Sequence, residues 1–368
     1  MTGDYQKSES KAVNAIRSAI PSSLKKDMLP ESKGKFAELF KNDEVFPNHF
    51  LACAIDGVGT KIILAEAMET YNTIGIDCVA MSANDLATLG PISPFIFMDC
   101  LSTQTKILEN NITGEIIKGI SKGLEQCDAS SILRNSIRMN FGKGETASVD
   151  ELISGTKPGF GFDLVGSMIG FIQKEKLNTK VSVGDKIIAF KSSGLHSNGY
   201  TSARHTLLNG DFETRAEIKK LYKGKFKLDS DFEGSTIGKT LLEPTKIYVK
   251  DMANIAKDFD VVGINNTGYG LKNLNRVVGF EFVVDNPIKP DPIFKLLQDE
   301  SKESDEKMYS TYNMGMGFFI IANPEDAESI IQSTKDSQII GEVKKGAKKD
   351  SSITILEKNN KKITFDRY

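Results

Sequence analysis

Apolar and polar positions change rhythm repeatedly along this chain, and each change marks an element. Residues 8–28 carry apolar positions at helical spacing, interrupted at Pro21, and predict an amphipathic helix. An apolar run at 50–55 predicts a buried strand that stops at Asp56-Gly57-Val58-Gly59, with a helix over 60–70 after it. Residues 72–89 predict a second helix, apolar with a few polar positions. A strand over 94–101, a long helix over 106–126 and a further strand over 130–139 follow. Residues 140–161 are polar and glycine-rich and read as irregular chain; 163–173 return to an apolar strand.

A polar, turn-rich break at 174–184 separates this half from the next. Beyond it the pattern predicts strands at 186–190, 261–264, 280–284, 316–322 and 338–343. Helices fall at 200–209, 246–256, 271–278, 291–298 and 324–332. This rhythm predicts an α/β (α+β) protein of two domains, each a mixed sheet with flanking helices. The domains are 1–174 and 175–345, and 346–368 is a basic C-terminal extension with a lysine-rich, hairpin-like pattern.

Composition narrows the function classes. With 368 residues, 39% hydrophobic and 26% charged, the chain is neither a disordered tail, a collagen nor a disulfide scaffold. Basic and acidic residues balance at 47 against 49, so no bulk charge draws it to nucleic acid or an anionic membrane. Three histidines, His49, His196 and His205, exclude a histidine-rich metal centre. Cys53, Cys78, Cys100 and Cys127 lie far apart, which suits free thiols in a reducing compartment. The first residues have no apolar core of a signal peptide, and the longest apolar stretch, 314–322, is far below the ~18 residues needed to span a bilayer. A cytoplasmic protein is expected.

Four glycine-punctuated segments are polar where their neighbours are apolar. In Asp56-Gly57-Val58-Gly59-Thr60-Lys61, two glycines between strand and helix would let backbone N–H groups approach an anion. Asp56 is placed to hold a metal ion and Lys61 to meet a phosphate; a tight turn with Asp56 as helix cap is the plainer alternative. In the helix over 72–89, Asp77 and Asn84 share a face with Asp85 beside them. Such carboxylates in apolar surroundings need a cation or donors, and a hydrated Mg²⁺ bridging to phosphates suits them. Gly144-Glu145-Thr146-Ala147 is a weak signal on its own and reads more readily as a surface loop. Ser192-Ser193-Gly194-Leu195-His196-Ser197-Asn198-Gly199-Tyr200 gathers hydroxyls, an amide and a histidine between strand and helix. It suits a phosphate or sugar, with His196 able to move a proton.

Taken in this order, the four segments resemble the aminoimidazole ribonucleotide synthetases, the phosphoribosylformylglycinamidine cyclo-ligases of purine biosynthesis. The match also includes Leu241 to Lys250 (LLEPTKIYVK) and Tyr312 to Phe318 (YNMGMGF), and runs from about Phe36 to Val343. The resemblance implies an ATP- and Mg²⁺-dependent enzyme with a small-molecule nucleotide substrate. It also implies a homodimer joined through the N-terminal sheets. It places Asp56, Gly57, Gly59, Thr60, Lys61, Asp77, Asn84, Asp85, Glu145 and Thr146 around ATP, with Asp56, Asp85 and Glu145 on the metal. Ser193, His196 and Asn198 face the substrate, and His196, Asp85 and Asn265 are the catalytic set. ATP would phosphorylate the formyl oxygen of formylglycinamidine ribonucleotide, and the amidine nitrogen would then close the imidazole ring with loss of phosphate. The chain departs from the family pattern in three places. Only Gly34 and Phe36 remain of its first glycine-rich segment, Ser148 to Glu151 replace the end of its GGETAEMPG motif, and Asn265 stands where the family has a histidine. The alternatives are another ATP-dependent member of the superfamily, which includes thiamine monophosphate kinase and selenophosphate synthetase, or a non-catalytic nucleotide-binding homologue.

Overall fold

A computed structural model describes residues 29–32, 36–41, 46–178 and 180–366. The helix expected over 8–28 and the position of Gly34 lie outside these residues. The first sheet has the order β1-β2-β5-β3-β4, with β1 Glu38–Phe40, β2 His49–Gly57, β3 Ser93–Thr103, β4 Asn140–Ser148 and β5 Phe162–Gln173. Its pairings are antiparallel except β3 with β4. Helix α1 (Ile62–Ala67) leaves the end of β2 through a short 3₁₀ turn at Gly59–Lys61, and α2 (Asn72–Ala87) and α3 (Ile112–Cys127) pack together against the inner face. Glycine sets how closely those two helices approach. A Cβ at Gly75 would fall 2.2 Å from the Ile116 carbonyl oxygen, and one at Gly119 would fall 2.0 Å from that of Asn72.

The second sheet has seven strands in the order β14-β13-β10-β12-β6-β11-β9. They are β6 Lys186–Lys191, β9 Val261–Asn265, β10 Phe280–Val284, β11 Met316–Ala322, β12 Ser337–Lys345, β13 Ile353–Lys358 and β14 Lys361–Asp366; β7 (Asp231–Phe232) and β8 (Ser235–Thr236) form a separate ribbon. β11 is buried along its whole length, as its unbroken run MGFFIIA requires of a strand covered on both faces. Helices α4 (Tyr200–Leu207), α5 (Val249–Ala256), α6 (Pro292–Ser301) and α7 (Pro324–Ser333) surround this sheet. Residues 353–366, set apart by sequence as part of a basic extension, form a hairpin that completes the sheet. β13 pairs parallel with β10, and Leu356 and Phe365 are buried.

Helix α2 is the joint of the molecule. One side lies on β2 and β5 and another meets β9 and α5 of the second domain, so it is buried on nearly every face. Three elements differ from the sequence reading. The expected strand over 130–139 is a helical turn, Ser130–Leu133, ended by Arg134 in the left-handed region at φ 52°. The helix expected over 106–126 is broken at Asn111, with φ 58°. The polar run at 140–148 is strand β4; at a sheet edge it needs only the backbone of β3, and with nearly every residue exposed it carries no apolar alternation.

Candidate active site

The end of β2 turns into the first helix at Asp56-Gly57-Val58-Gly59, where Gly59 has φ 71° and nothing stands within 4 Å of where a Cβ would be. The backbone there is open to approach. The Asp56 carboxylate accepts the Gly57 N–H at 2.7 Å, and burial raises its pKa above the ordinary value. Thr60 is exposed, with its hydroxyl 3.0 Å from that of Thr201 at the start of α4.

The two carboxylates of α2 meet different surroundings. Asp77 is fully enclosed. The Lys61 ammonium, also without exposure, lies 2.9 Å from each of its oxygens and donates to the carbonyls of His196 at 3.0 Å and Glu243 at 2.6 Å. Asp77 also accepts the Ser197 hydroxyl at 3.1 Å, the Thr245 N–H at 2.8 Å and the Thr245 hydroxyl at 2.7 Å. Every partner except Lys61 comes from the second domain, so this pair fastens the domains together. The expectation that Lys61 meets a phosphate and Asp77 joins it is corrected on this geometry, since three donors of the ammonium are already taken and no solvent reaches it.

Asp85 is 8% exposed and accepts one hydrogen bond, from the Asn265 amide at 2.9 Å. Burial pushes its pKa up to about 8, Asp56 adds repulsion, and Arg276 opposes the rise. Asn84, between the two acids' turns, donates to the Lys246 carbonyl at 2.8 Å and accepts the Tyr248 N–H at 2.8 Å. Both amide ends therefore hold the 241–250 segment, not a ligand. That segment also takes the Ser193 hydroxyl on the Pro244 carbonyl. Its framework role is missed by sequence reasoning, because backbone carbonyls leave no residue signature.

His196 sits in the left-handed region at φ 61° and is 3% exposed. Its Nε2 accepts the Ser193 N–H at 3.3 Å, and burial, with Lys61 and Lys246 nearby, pushes its pKa down to about 3. In this conformation the ring is held neutral, and its Nε2 fixes the loop through the Ser193 N–H. Asn198 is half-buried and its side-chain amide makes no hydrogen bond among the described residues; it lies beside Gly268, where a Cβ would be 3.3 Å from Asn198 Oδ1. Within the substrate-facing trio, the Ser193 hydroxyl is bound to the Pro244 carbonyl and His196 Nε2 to the Ser193 N–H, whereas both amide atoms of Asn198 are without such partners among the described residues.

Glu145 pairs in register with Cys100, an exposed position on the outer face of the first sheet, whereas Asp56 belongs to the inner row with Asp99. Metal ligation by Glu145 beside Asp56 and Asp85 of its own chain therefore does not fit. Thr146 pairs with Leu101 on the edge strand. Asp99 is a buried carboxylate whose Oδ1 has no partner among the described residues. The Phe97 ring stands over Gly166 between it and Asp56. Arg276, one of seven arginines in the chain, stacks 3.9 Å from the Phe36 ring centroid and lines a cavity of about 510 Å³ with Val262, Ile264 and Phe280. The groups gathered at the domain joint are thus Asp56, Asp85, Asn265, Asn198, Arg276 and the open backbone at Gly57 and Gly59.

Comparison with known proteins places this geometry in a family. Residues 41–171 match the N-terminal domain model of AIR synthase related protein, and 182–353 match the C-terminal one. A phosphoribosylformylglycinamidine cyclo-ligase of Methanococcoides burtonii is 38% identical over 301 residues, 81% of each chain. One of Methanobrevibacter smithii is 33% identical over 370 residues, 97% of this chain and 96% of its own. Among solved structures, one described as AaThiL complexed with AMPPCP and TMP has a TM-score of 0.54 at 12% identity, covering 91% of each chain. Hydrogenase maturation protein HypE in complex with ATP has a TM-score of 0.53 at 15% identity, covering 86% of this chain and 85% of its own. These two likenesses are of fold.

Proposed function

The chain belongs to the AIR synthase related protein family, and from that premise we propose that it is an ATP-dependent cyclo-ligase that closes the imidazole ring of aminoimidazole ribonucleotide. The observation that carries the reading is the pair of acids at the joint. Asp85 and Asp56 are desolvated, repel each other and, among the described residues, have no cationic side chain in hydrogen-bonding contact, in a protein that gives Asp77 an enclosed ion pair with Lys61. Oxygen donors with room at the Gly59 backbone fit a hard dication carrying a nucleotide phosphate. Mg²⁺, when bound, neutralises charge that develops on the transferred phosphoryl group.

The chain's own residues then do the following. Asp56 and Asp85 hold the metal–nucleotide, and Asn265 fixes the Asp85 carboxylate through its amide, with no proton to give. Gly57 and Gly59 present backbone N–H groups to phosphate oxygens. Asn198 offers amide hydrogen bonds to the substrate. Lys61, Asp77, Asn84 and His196 hold the two domains at the spacing the reaction needs, which is a positioning role. The enzyme works as a homodimer in the cytoplasm. Among the described residues no helix is long and apolar enough to cross a membrane. The outer face of the first sheet exposes Ile55 at 70% between half-buried Cys53 and Val165, a face suited to a second copy. Light scattering is expected to give twice the chain mass, and one chain mass for Ile55→Asp.

The direct test is incubation with Mg-ATP and formylglycinamidine ribonucleotide. Aminoimidazole ribonucleotide is expected with one ADP per turnover. No product and no substrate-dependent ADP release would remove the reading.

A further inference from the structure

A second cavity, of about 430 Å³, opens at the opposite end of β2 from Asp56. His49 lines it and lies seven strand positions before Asp56, about 23 Å at ~3.3 Å per step. The floor is apolar, from Leu133 and Phe171, and the walls carry Arg134, Lys176 and Lys257 against one carboxylate, Asp258. The Arg134 guanidinium and the Lys257 ammonium make no hydrogen bond or ion pair among the described residues, and Lys176 donates only to the Lys257 carbonyl at 2.9 Å.

The backbone that carries Arg134 is held in place. Arg134 ends the turn at Ser130–Leu133 in the left-handed region, at φ 52° and ψ 42°. A non-glycine residue there is strained and persists only where its surroundings impose it. They do so through the next residue: the Asn135 amide donates to the Ser93 hydroxyl at 2.8 Å, and its oxygen accepts the Ile137 N–H at 3.0 Å. The turn therefore displays a planar, permanently charged fork over a cavity whose other cations come from different places. Lys176 belongs to the segment between the domains and Lys257 to the end of α5 in the second domain. Arg134 and Lys257 are exposed at the cavity mouth and Lys176 is half-buried; in a chain with forty lysines and seven arginines, an arginine whose backbone is held at this turn suits bidentate recognition of an oxyanion.

We propose that this junction cavity is a second, non-catalytic anion site that takes a small phosphate monoester. The phosphate sits among Arg134, Lys176 and Lys257, and the organic part lies on Leu133 and Phe171. Because its cations span both domains and the segment between them, an occupant ties the domains together from the side opposite the catalytic joint. Binding there stabilises the folded protein by mass action.

The test is calorimetric titration of the full chain with inorganic phosphate and with ribose 5-phosphate, at matched ionic strength against chloride. The wild type and Asp85→Asn are expected to bind ribose 5-phosphate at this site with equal affinity, more tightly than inorganic phosphate. The double variant Arg134→Ala/Lys257→Ala is expected to bind at least ten-fold more weakly while keeping its ligand-free melting temperature. Equal affinity in the double variant, loss of binding in Asp85→Asn, or no binding to the wild type beyond the chloride control would each overturn the proposal. Inorganic phosphate binding as tightly as the ester would overturn the organic subsite. Should the double variant fail to fold, amine acetylation of the wild type read by mass spectrometry decides. Ribose 5-phosphate is expected to protect Lys176 and Lys257, and unprotected lysines would overturn the site.

Discussion

Asp77 and Asp85 stand on the same helix, eight positions and about 12 Å apart at ~1.5 Å per residue. Both are acids in an apolar stretch, and the sequence treats them alike. The structure gives Asp77 a buried lysine, two hydroxyls and a backbone N–H, and gives Asp85 one amide. A buried carboxylate paired with an enclosed lysine is part of the framework. One held by a single amide, beside a second acid and an open glycine backbone, is where a cation and its phosphate belong. Burial alone therefore does not mark a site; the balance of donors around a buried charge does.

The sharpest way to break this comparison is to exchange the fates of the two acids. Asp77→Ala leaves the Lys61 ammonium enclosed and unpaired, and is expected to remove about 3–5 kcal/mol of stability. Denaturant unfolding reads this directly. The double variant Lys61→Met/Asp77→Leu is expected to recover much of it, because no buried charge is left behind. A loss below about 1 kcal/mol for the single change would show that the pair does not hold the domains.

Asp85→Asn is expected to do the reverse. ATP turnover falls at least about 100-fold, a scale typical of losing one charge-stabilising group. Stability in the absence of ligand is unchanged or higher, because a poorly solvated carboxylate has been removed. Full turnover in this variant would take Asp85 out of the site.

A smaller, graded signal is the pH dependence of the ligand-free protein. Asp85 keeps its proton up to about pH 8 when folded and releases it near 3.8 when unfolded. Between these values the unfolded chain binds fewer protons, so this group lowers stability as pH rises through that window. His196 acts at the acid end: folded, it stays neutral down to about pH 3, whereas its ordinary value is 6.5. Its contribution is present above 6.5 and is lost as pH falls toward 3. Metal–nucleotide binding displaces the Asp85 proton, so affinity is expected to rise with pH up to about 8 and to flatten in Asp85→Asn. A wild-type affinity that is level over pH 6–8 would place the ionised carboxylate there already.

Much of the fold is legible in the sequence where pattern and environment agree. The run MGFFIIA, short and flanked by Gly315 and Pro324, reads as a strand covered on both faces, and Pro324 with Asn323 before it fixes the start of α7. The pattern fails where one short-range signal has two outcomes. The apolar pair in SSILRN suits a short strand as well as a turn, but Asp128 accepts the Ser130 N–H at 2.9 Å and starts a turn. Asn140–Ser148 is a strand through its neighbour's backbone alone.

The amino-acid sequence by itself determined the chemistry on offer: which turns carry glycine, which acids sit in apolar helix, and that the motifs together are those of one enzyme family. It did so because residue type and spacing are local properties. Only the tertiary structure decided which of those groups are available. Lys61 and Asp77 are consumed by partners more than a hundred positions away, such as His196, Ser197 and Thr245. Glu145 is turned to the outer face by strand register, and His196 is neutralised by enclosure. Availability depends on desolvation and on long-range hydrogen bonds, and neither exists until the two domains close on α2.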